Sequence, residues 1–434
     1  MWLHRRNTLT SVLGFDGILI RSLPGLCVQA LRLIPRSTVH QQLQAAGSAP
    51  VSGRRDPTVH KESSEWLAQL DGLRGISILM VLTAHVYAPG WHALQGGYGV
   101  TVFFVLSGFL ITRLLLREEY ATGRVSLGTF YVRRAFRLFP IYYLVLAVYC
   151  VLIFGLGIRP EARAGFAFAL PWYLFYLQEI PQEIRSIPTH STGPVALPFY
   201  QSWSLGIEEK FYLLWPIVAF RVLRNRNARI ALAAGAVLLF SAARFVPHAR
   251  YLYLYMPISW GCLFSLLEDM ASLRNKLYVW VSSWRAVVVL LSWPVLHVLV
   301  ADPHLPIAAR LIAELVYPLS IAFVILASLQ SAWLARIFSF APLSVLGRFS
   351  YCIYLIHLLV RQTVERVLHQ IGLGLGNGVL VYVLMLFLSA AGAGILYYTI
   401  ETRFREVGRR ISRSWGRRAK VPIAPTSLPL VNSR

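Results

Sequence analysis

The stretch LDGLRGISILMVLTAH, residues 70–85, carries Arg74 and His85 at the two ends of an apolar run. If the run is one helix, eleven residues advance it by about 16 Å and turn it close to three times, so both side chains share a face. An ionisable group at such depth in an apolar helix is costly and belongs in a polar cavity of a bundle. A neutral imidazole there can take a proton from a hydroxyl as a general base. A structural hydrogen bond to a neighbouring helix can also explain one buried histidine, so His85 needs company.

Three further stretches supply it. FYVRRAFRLFP, 130–140, sets Arg133 and Arg134 four and three residues before Arg137. Such a cluster anchors a span on its cytoplasmic side, and it can also clamp phosphates through the planar guanidinium fork. QSWSLGIEEKFYLLWP, 201–216, holds adjacent carboxylates, Glu208 and Glu209, beside Lys210. A carboxylate can form a structural ion pair, or it can orient an imidazole; Glu208, on a face with Phe211 and Tyr212, is the preferred partner for His85. In LGRFSYCIYLIH, 346–357, Ser350 and His357 lie seven apart, hence on one helical face, with Tyr354 between them. Ser107, in FVLSGF, follows no GxSxG pattern, and no Ser-His-Asp order favours a serine nucleophile.

The elements that position these residues follow from composition. Of 434 residues 56% are hydrophobic and only 14% charged, against about 25% charged in a soluble domain. Repeated apolar runs of roughly twenty residues with short basic connections mean a polytopic helical membrane protein. The net charge of +23 does not point to nucleic acid, because the 42 basic residues fall mostly at the ends of apolar segments. Cys27, Cys150, Cys262 and Cys352 are scattered, with no CxxC pair, and no metal site is expected.

Apolar segments are read at 72–90, 97–116, 138–158, 163–178, 202–220, 230–246, 251–267, 284–301, 310–329, 343–360 and 377–400. The basic stretches 113–137 and 221–229 both belong in the cytoplasm, so an even number of crossings separates them. Three candidates lie between, and 163–178, short and interrupted by Pro171, is assigned to a re-entrant or interfacial piece. The expectation is an all-α bundle of about ten transmembrane helices, both termini cytoplasmic, with 86–97, 179–201 and 302–308 outside. Arg244 and Arg250 fit this poorly, as they fall in a loop assigned outside. Residues 1–65 read as a disordered basic tail, 66–406 as the membrane domain and 407–434 as a basic cytoplasmic tail.

Taken together and in order, LDGLRGISILMVLTAH, GVTVFFVLSGFLITRLLL, FYVRRAFRLFPIYYL, SWSLGIEEKFYLLWP and FSYCIYLIH resemble the membrane-bound acyltransferase-3 family over about residues 66–406. The family's arginine–histidine signature falls on Arg74 and His85, its paired arginines on Arg134 and Arg137, and its Trp-Ser-Leu-Glu pattern on Trp203, Ser204, Leu205 and Glu208. The resemblance implies O-acylation of carbohydrates or other hydroxyl compounds, with acyl-CoA, acetyl-CoA by family habit, as a cytoplasmic co-substrate and no tightly bound cofactor. Only about thirty residues follow the last span, so the chain resembles the stand-alone form without an extracytoplasmic hydrolase-like domain.

The expected mechanism sets His85 as general base, oriented by Glu208, with Arg74, Arg134 and Arg137 on the coenzyme phosphates. Trp203, Ser350, Tyr354 and His357 would bind substrate. Direct transfer and an acyl-histidine intermediate both fit. The rival is a transporter or flippase with His85 as proton relay, but the 70–140 pattern has no second copy of the kind paired transporter halves show. A membrane haem protein would need axial ligands such as His85 and His357, and nothing else in the sequence favours it.

Overall fold

The computed structural model describes residues 57–179, 197–246, 249–281, 284–301, 304–373 and 377–418. Among them every element is helical: α1 (Pro57–Thr83), α2 (Tyr98–Thr122), α3 (Leu127–Cys150), α4 (Arg163–Leu174), α5 (Trp203–Pro216), α6 (Arg226–Ala243) and α7 (Met256–Glu268). The rest are α8 (Ala271–Val281), α9 (Trp284–Ala301), α10 (Ile307–Gln330), α11 (Ala332–Phe338), α12 (Ala341–Gln370), α13 (Gly378–Leu396) and α14 (Thr402–Arg418). The chain divides after Val59, and of the first part only residues 57–59, the start of α1, are described. Of the N-terminal tail read as disordered over 1–65, residues 1–56 lie outside the described residues, whereas 57–65 are helical and open α1; the end of the C-terminal tail also lies outside them.

Among the described residues six helical stretches are long and apolar enough to cross a bilayer: Tyr98–Thr122, Leu127–Gly155, Arg226–Ala243, Leu311–Gln330, Ala341–Gln370 and Gly378–Trp415. The protein is a polytopic helical membrane bundle. α4, at 12 residues, rises about 18 Å, short of the roughly 30 Å hydrocarbon layer. The segment read as a re-entrant or interfacial piece is therefore too short a helix to cross.

Several boundaries differ from the sequence reading, two of them with consequences for the site. α3 begins at Leu127 rather than 138, so Arg133, Arg134 and Arg137 ride on the helix itself. A helix can continue into a basic stretch because arginine is a good helix former and its stem packs while its head stays polar. The chain after α13 passes through a π-helical turn, Tyr397–Glu401, into α14, which packs against α3. The first part of the expected C-terminal tail is thus a docked helix.

Close approach of helices rests on small residues, as lipid-embedded packing requires. α2 lies along α7, and there Gly108 and Gly261 face each other's backbones. A Cβ on Gly108 would sit 2.0 Å from the Ile258 carbonyl oxygen, and one on Gly261 would sit 2.1 Å from that of Val105.

Polar contacts sort the helix ends into two sets. At one end Arg113 of α2 pairs with Glu268 of α7, and Arg229 of α6 donates twice to Glu119 of α2, at 2.6 and 2.8 Å. At the other, a ring nitrogen of His297 on α9 donates to the Leu94 carbonyl at 2.8 Å. Arg244 and Glu314 also pair there at 2.7 Å, between α6 and α10. That ion pair accounts for an arginine in a loop where the charge rule disfavours one.

Candidate active site

Most of the residues singled out in the sequence gather in two adjoining chambers. The first is lined by Arg74 from α1, Ser107 from α2, Arg134 and Arg137 from α3, Glu208 and Tyr212 from α5, and Ser350 and Tyr354 from α12. Its volume is about 80 Å³. The second, about 520 Å³, is lined by His85, Tyr87, Trp91, Tyr98, Tyr200, Trp203, Tyr253 and Tyr317 among others, with Arg244 and Glu314 at its wall.

In the arginine chamber, Ser107 donates its hydroxyl proton to Glu208 at 2.8 Å, and Tyr212 donates to Ser107 Oγ at 3.0 Å. The Arg134 guanidinium lies 4.7 Å from the Tyr212 ring centroid, within cation–π range. Arg74 is partly engaged by Asp71 at 3.1 Å. Arg137 keeps a buried Nε without a hydrogen-bond partner. A buried charged donor left unpaired is costly, so the chamber suits a ligand anion. Sequence reasoning dismissed Ser107 as a nucleophile and thereby missed it as the bridge between Glu208 and Tyr212. Its signal was a lone hydroxyl in an apolar run.

In the histidine chamber, α1 stops at Thr83 and His85 sits in the turn beyond it. This corrects the expectation of one helical face shared with Arg74. The His85 Nδ1–H donates to the Val81 carbonyl at 2.8 Å, and Thr83 Oγ1 donates to that of Met80 at 2.7 Å. The His85 ring satisfies a carbonyl at the helix end, while that of Met80 also accepts from the Ala84 N–H at 3.4 Å, and the chain bends there. With Nδ1 as the donor, the neutral ring carries its lone pair on Nε2.

Glu208 was expected to orient His85. Its hydrogen bond comes from Ser107 instead, in the arginine chamber, and the Val81 carbonyl fixes the His85 ring. His357, expected to touch substrate, is 0% exposed and lines neither chamber; it stands behind His85. Trp203 lines the histidine chamber and Ser350 the arginine chamber. Lys210, which could have neutralised its carboxylate neighbours, pairs with Glu179 and donates to the Tyr176 carbonyl at 3.0 Å.

Tyr354 belongs to both chambers. Its hydroxyl donates to the Gln201 carbonyl at 2.6 Å and therefore accepts from Ser204 Oγ at 2.7 Å. Gln201, another residue the sequence reading passed over, reaches the Leu355 carbonyl at 3.0 Å. The turn that delivers Gln201 and Trp203 is set by Phe199, held at φ 65°. That is the left-handed region a bulky residue rarely occupies unless its surroundings enforce it. Here Tyr142, Tyr149 and Tyr173 crowd its ring at centroid distances of 5.2 to 5.6 Å.

The model of the acyltransferase-3 proteins, described as an acyltransferase domain, matches residues 67–398, which include both chambers. The chain belongs to the acyltransferase-3 family. It is 26% identical over 323 residues to the peptidoglycan O-acetyltransferase OatA of Listeria monocytogenes, across 68% of this chain and 49% of the relative. It is 29% identical over 372 residues to the O-acetyltransferase OatA of Staphylococcus aureus, across 80% of this chain and 58% of the relative. The chain spans about half the length of these curated relatives. No solved structure matches it. In this acyltransferase-3 chain the arginine–histidine signature is split: its arginine serves one chamber and its histidine the other.

Proposed function

We propose that this acyltransferase-3 protein transfers an acyl group, acetyl in the first instance, from acyl-CoA to a hydroxyl of a carbohydrate, with peptidoglycan the first acceptor to test. The observation that carries the reading is the meeting, at Tyr354, of a narrow arginine-lined chamber and a wide aromatic one. A chamber of about 520 Å³ falls in the usual range for small-molecule sites. Its aromatic faces and polar rims suit a sugar, which presents C–H faces edged by hydroxyls. The arginine chamber is far narrower, at about 80 Å³. The nucleotide of the coenzyme then stays at the mouth against Arg74, Arg134 and Arg137, and only the thioester end reaches inside.

The acceptor O–H gives its proton to His85 Nε2 while its oxygen attacks the thioester carbonyl. The new O–C bond forms, the C–S bond breaks, and the proton ends on the departing thiolate sulfur. Glu208 serves the arginine chamber by fixing Ser107 and Tyr212 beside Arg134. An acyl-histidine intermediate would use the same Nε2 and the same two chambers.

The reading keeps ten crossings and sets the arginine chamber toward the cytoplasm, in a plasma or inner membrane with both termini inside. The end contacts support this alternation. Arg113, Glu119, Arg229 and Glu268 meet at one end, and Leu94, Arg244, His297 and Glu314 at the other.

A transport role for His85 is the alternative that the test must separate. Purified protein supplied with acetyl-CoA and peptidoglycan fragments should release free thiol and yield O-acetylated sugar by mass spectrometry. His85→Ala should lower both by about 10²–10⁴-fold, the usual loss on removing a positioned base, with membrane insertion kept. Near-normal turnover in well-inserted His85→Ala would sink the mechanism.

A further inference from the structure

We infer that Phe104 and Val100 set the length of the acyl chain this protein transfers. The inference deepens the proposed acyl-CoA reading and rests on it. Three residues line both chambers: Val100, Phe104 and Tyr354. They form the partition between the arginine side and the histidine side.

Transfer fixes where the reacting carbon sits. In the attack its carbonyl carbon is bonded or nearly bonded both to the sulfur arriving from the arginine chamber and to the oxygen activated at His85. That carbon must therefore lie at the partition, and the rest of the acyl group must find room against the same three residues.

The three differ in freedom. Tyr354 is held at its hydroxyl by Ser204 and the Gln201 carbonyl, at 2.7 and 2.6 Å. It is a fixed wall. Phe104 is only 2% exposed and stands edge to face against Trp203, ring centroids 6.3 Å apart and planes 88° apart. Phe104 and Val100 offer no polar side-chain atom, so their only bearing on an acyl chain is shape. One turn apart on α2, they line the partition together with Tyr354 of α12.

A methyl group fits such a partition, and each added methylene must displace Phe104 or Val100. Close-packed interiors resist that displacement. Discrimination of about 10–200-fold per methylene is what a snug apolar site achieves.

The test uses the full-length protein in nanodiscs with acetyl-, propionyl- and butyryl-CoA in parallel, reading thiol release and the mass of the acylated peptidoglycan fragments. The wild type should prefer acetyl over butyryl by at least about 100-fold. Phe104→Ala opens the partition and should raise the butyryl-to-acetyl ratio by about tenfold or more. Val100→Leu narrows it without removing a packed ring, and should lower the propionyl-to-acetyl ratio by a similar factor. Because each readout is a ratio within one variant, partial loss of folded protein cancels. Leu214→Ala, on an exposed face of α5, is the control and should keep the wild-type ratios.

Wild-type consumption of acetyl-CoA with unchanged ratios in both partition variants overturns this inference and leaves the donor assignment standing. No thioester consumption by the wild type overturns the donor assignment, and this inference with it.

Discussion

The rings of His85 and His357 meet edge to face, their centroids 4.8 Å apart and their planes at 68°. Each ring donates Nδ1–H to a carbonyl of its own turn, His85 to Val81 at 2.8 Å and His357 to Tyr354 at 2.7 Å. Both therefore turn Nε2 away from those carbonyls. His357 Nε2 is buried without a hydrogen-bond partner, and Arg361, on the next turn of α12, lies 4.2 Å over the Tyr87 ring. In the proposed reaction His357 is therefore a positioning residue for His85 rather than a substrate contact.

That arrangement predicts a split in kinetics. His357→Ala frees the His85 ring to turn and should lower kcat by about tenfold or more while the KM for acyl-CoA stays within about twofold. His357→Phe restores an aromatic wall and should recover much of the loss. Steady-state kinetics on well-inserted protein checks it. A rise in donor KM with unchanged kcat would assign His357 to binding instead.

Arg134 yields a separate expectation. Arg134→Lys keeps the charge but loses the planar fork and the stack on Tyr212, so donor affinity should fall about tenfold. The dependence on acceptor concentration should stay put. Isothermal titration with acetyl-CoA reads the first and initial rates the second. A lysine variant that binds donor as tightly as wild type would reduce Arg134 to a topological anchor.

The glycine contact between α2 and α7 predicts a stability difference. Gly261→Val forces a side chain into the Val105 carbonyl, whereas a Cβ at Gly235 of α6 meets nothing within 4 Å. Gly261→Val should lower the unfolding temperature in detergent by several degrees, from overpacking of about 1–3 kcal/mol. Gly235→Val should leave it near the wild-type value. Equal melting of the two variants would mean the helices separate freely.

Topology is tested with single cysteines in a background lacking Cys27, Cys150, Cys262 and Cys352. Thr189, in the loop assigned outside, lies beyond the described residues, so Ala93 is the better outer probe; it and Thr122 are both exposed. Ala93→Cys should react with an impermeant thiol reagent in intact cells, and Thr122→Cys only after permeabilisation. The reverse pattern would turn the arginine chamber outward and remove a cytoplasmic donor from the mechanism.

The sequence by itself determined the helical membrane architecture, the basic helix ends and the four stretches that carry polar chemistry. These are legible because an apolar run and its flanking charges act locally, on one helix and the bilayer around it. Ser350, Tyr354 and His357 ride on one regular helix, α12, as their spacing predicts, although His357 lines neither chamber. What only the tertiary structure decided is how the polar residues are shared out. His85 leaves the helix that carries Arg74 because its own ring takes the Val81 carbonyl. Glu208 meets Ser107, 101 positions away in the chain, and Gln201 meets Leu355, 154 positions away. Such pairings follow from which helices pack side by side, and helical periodicity carries no information about that. The division into two chambers, and the wall between them, come from packing alone.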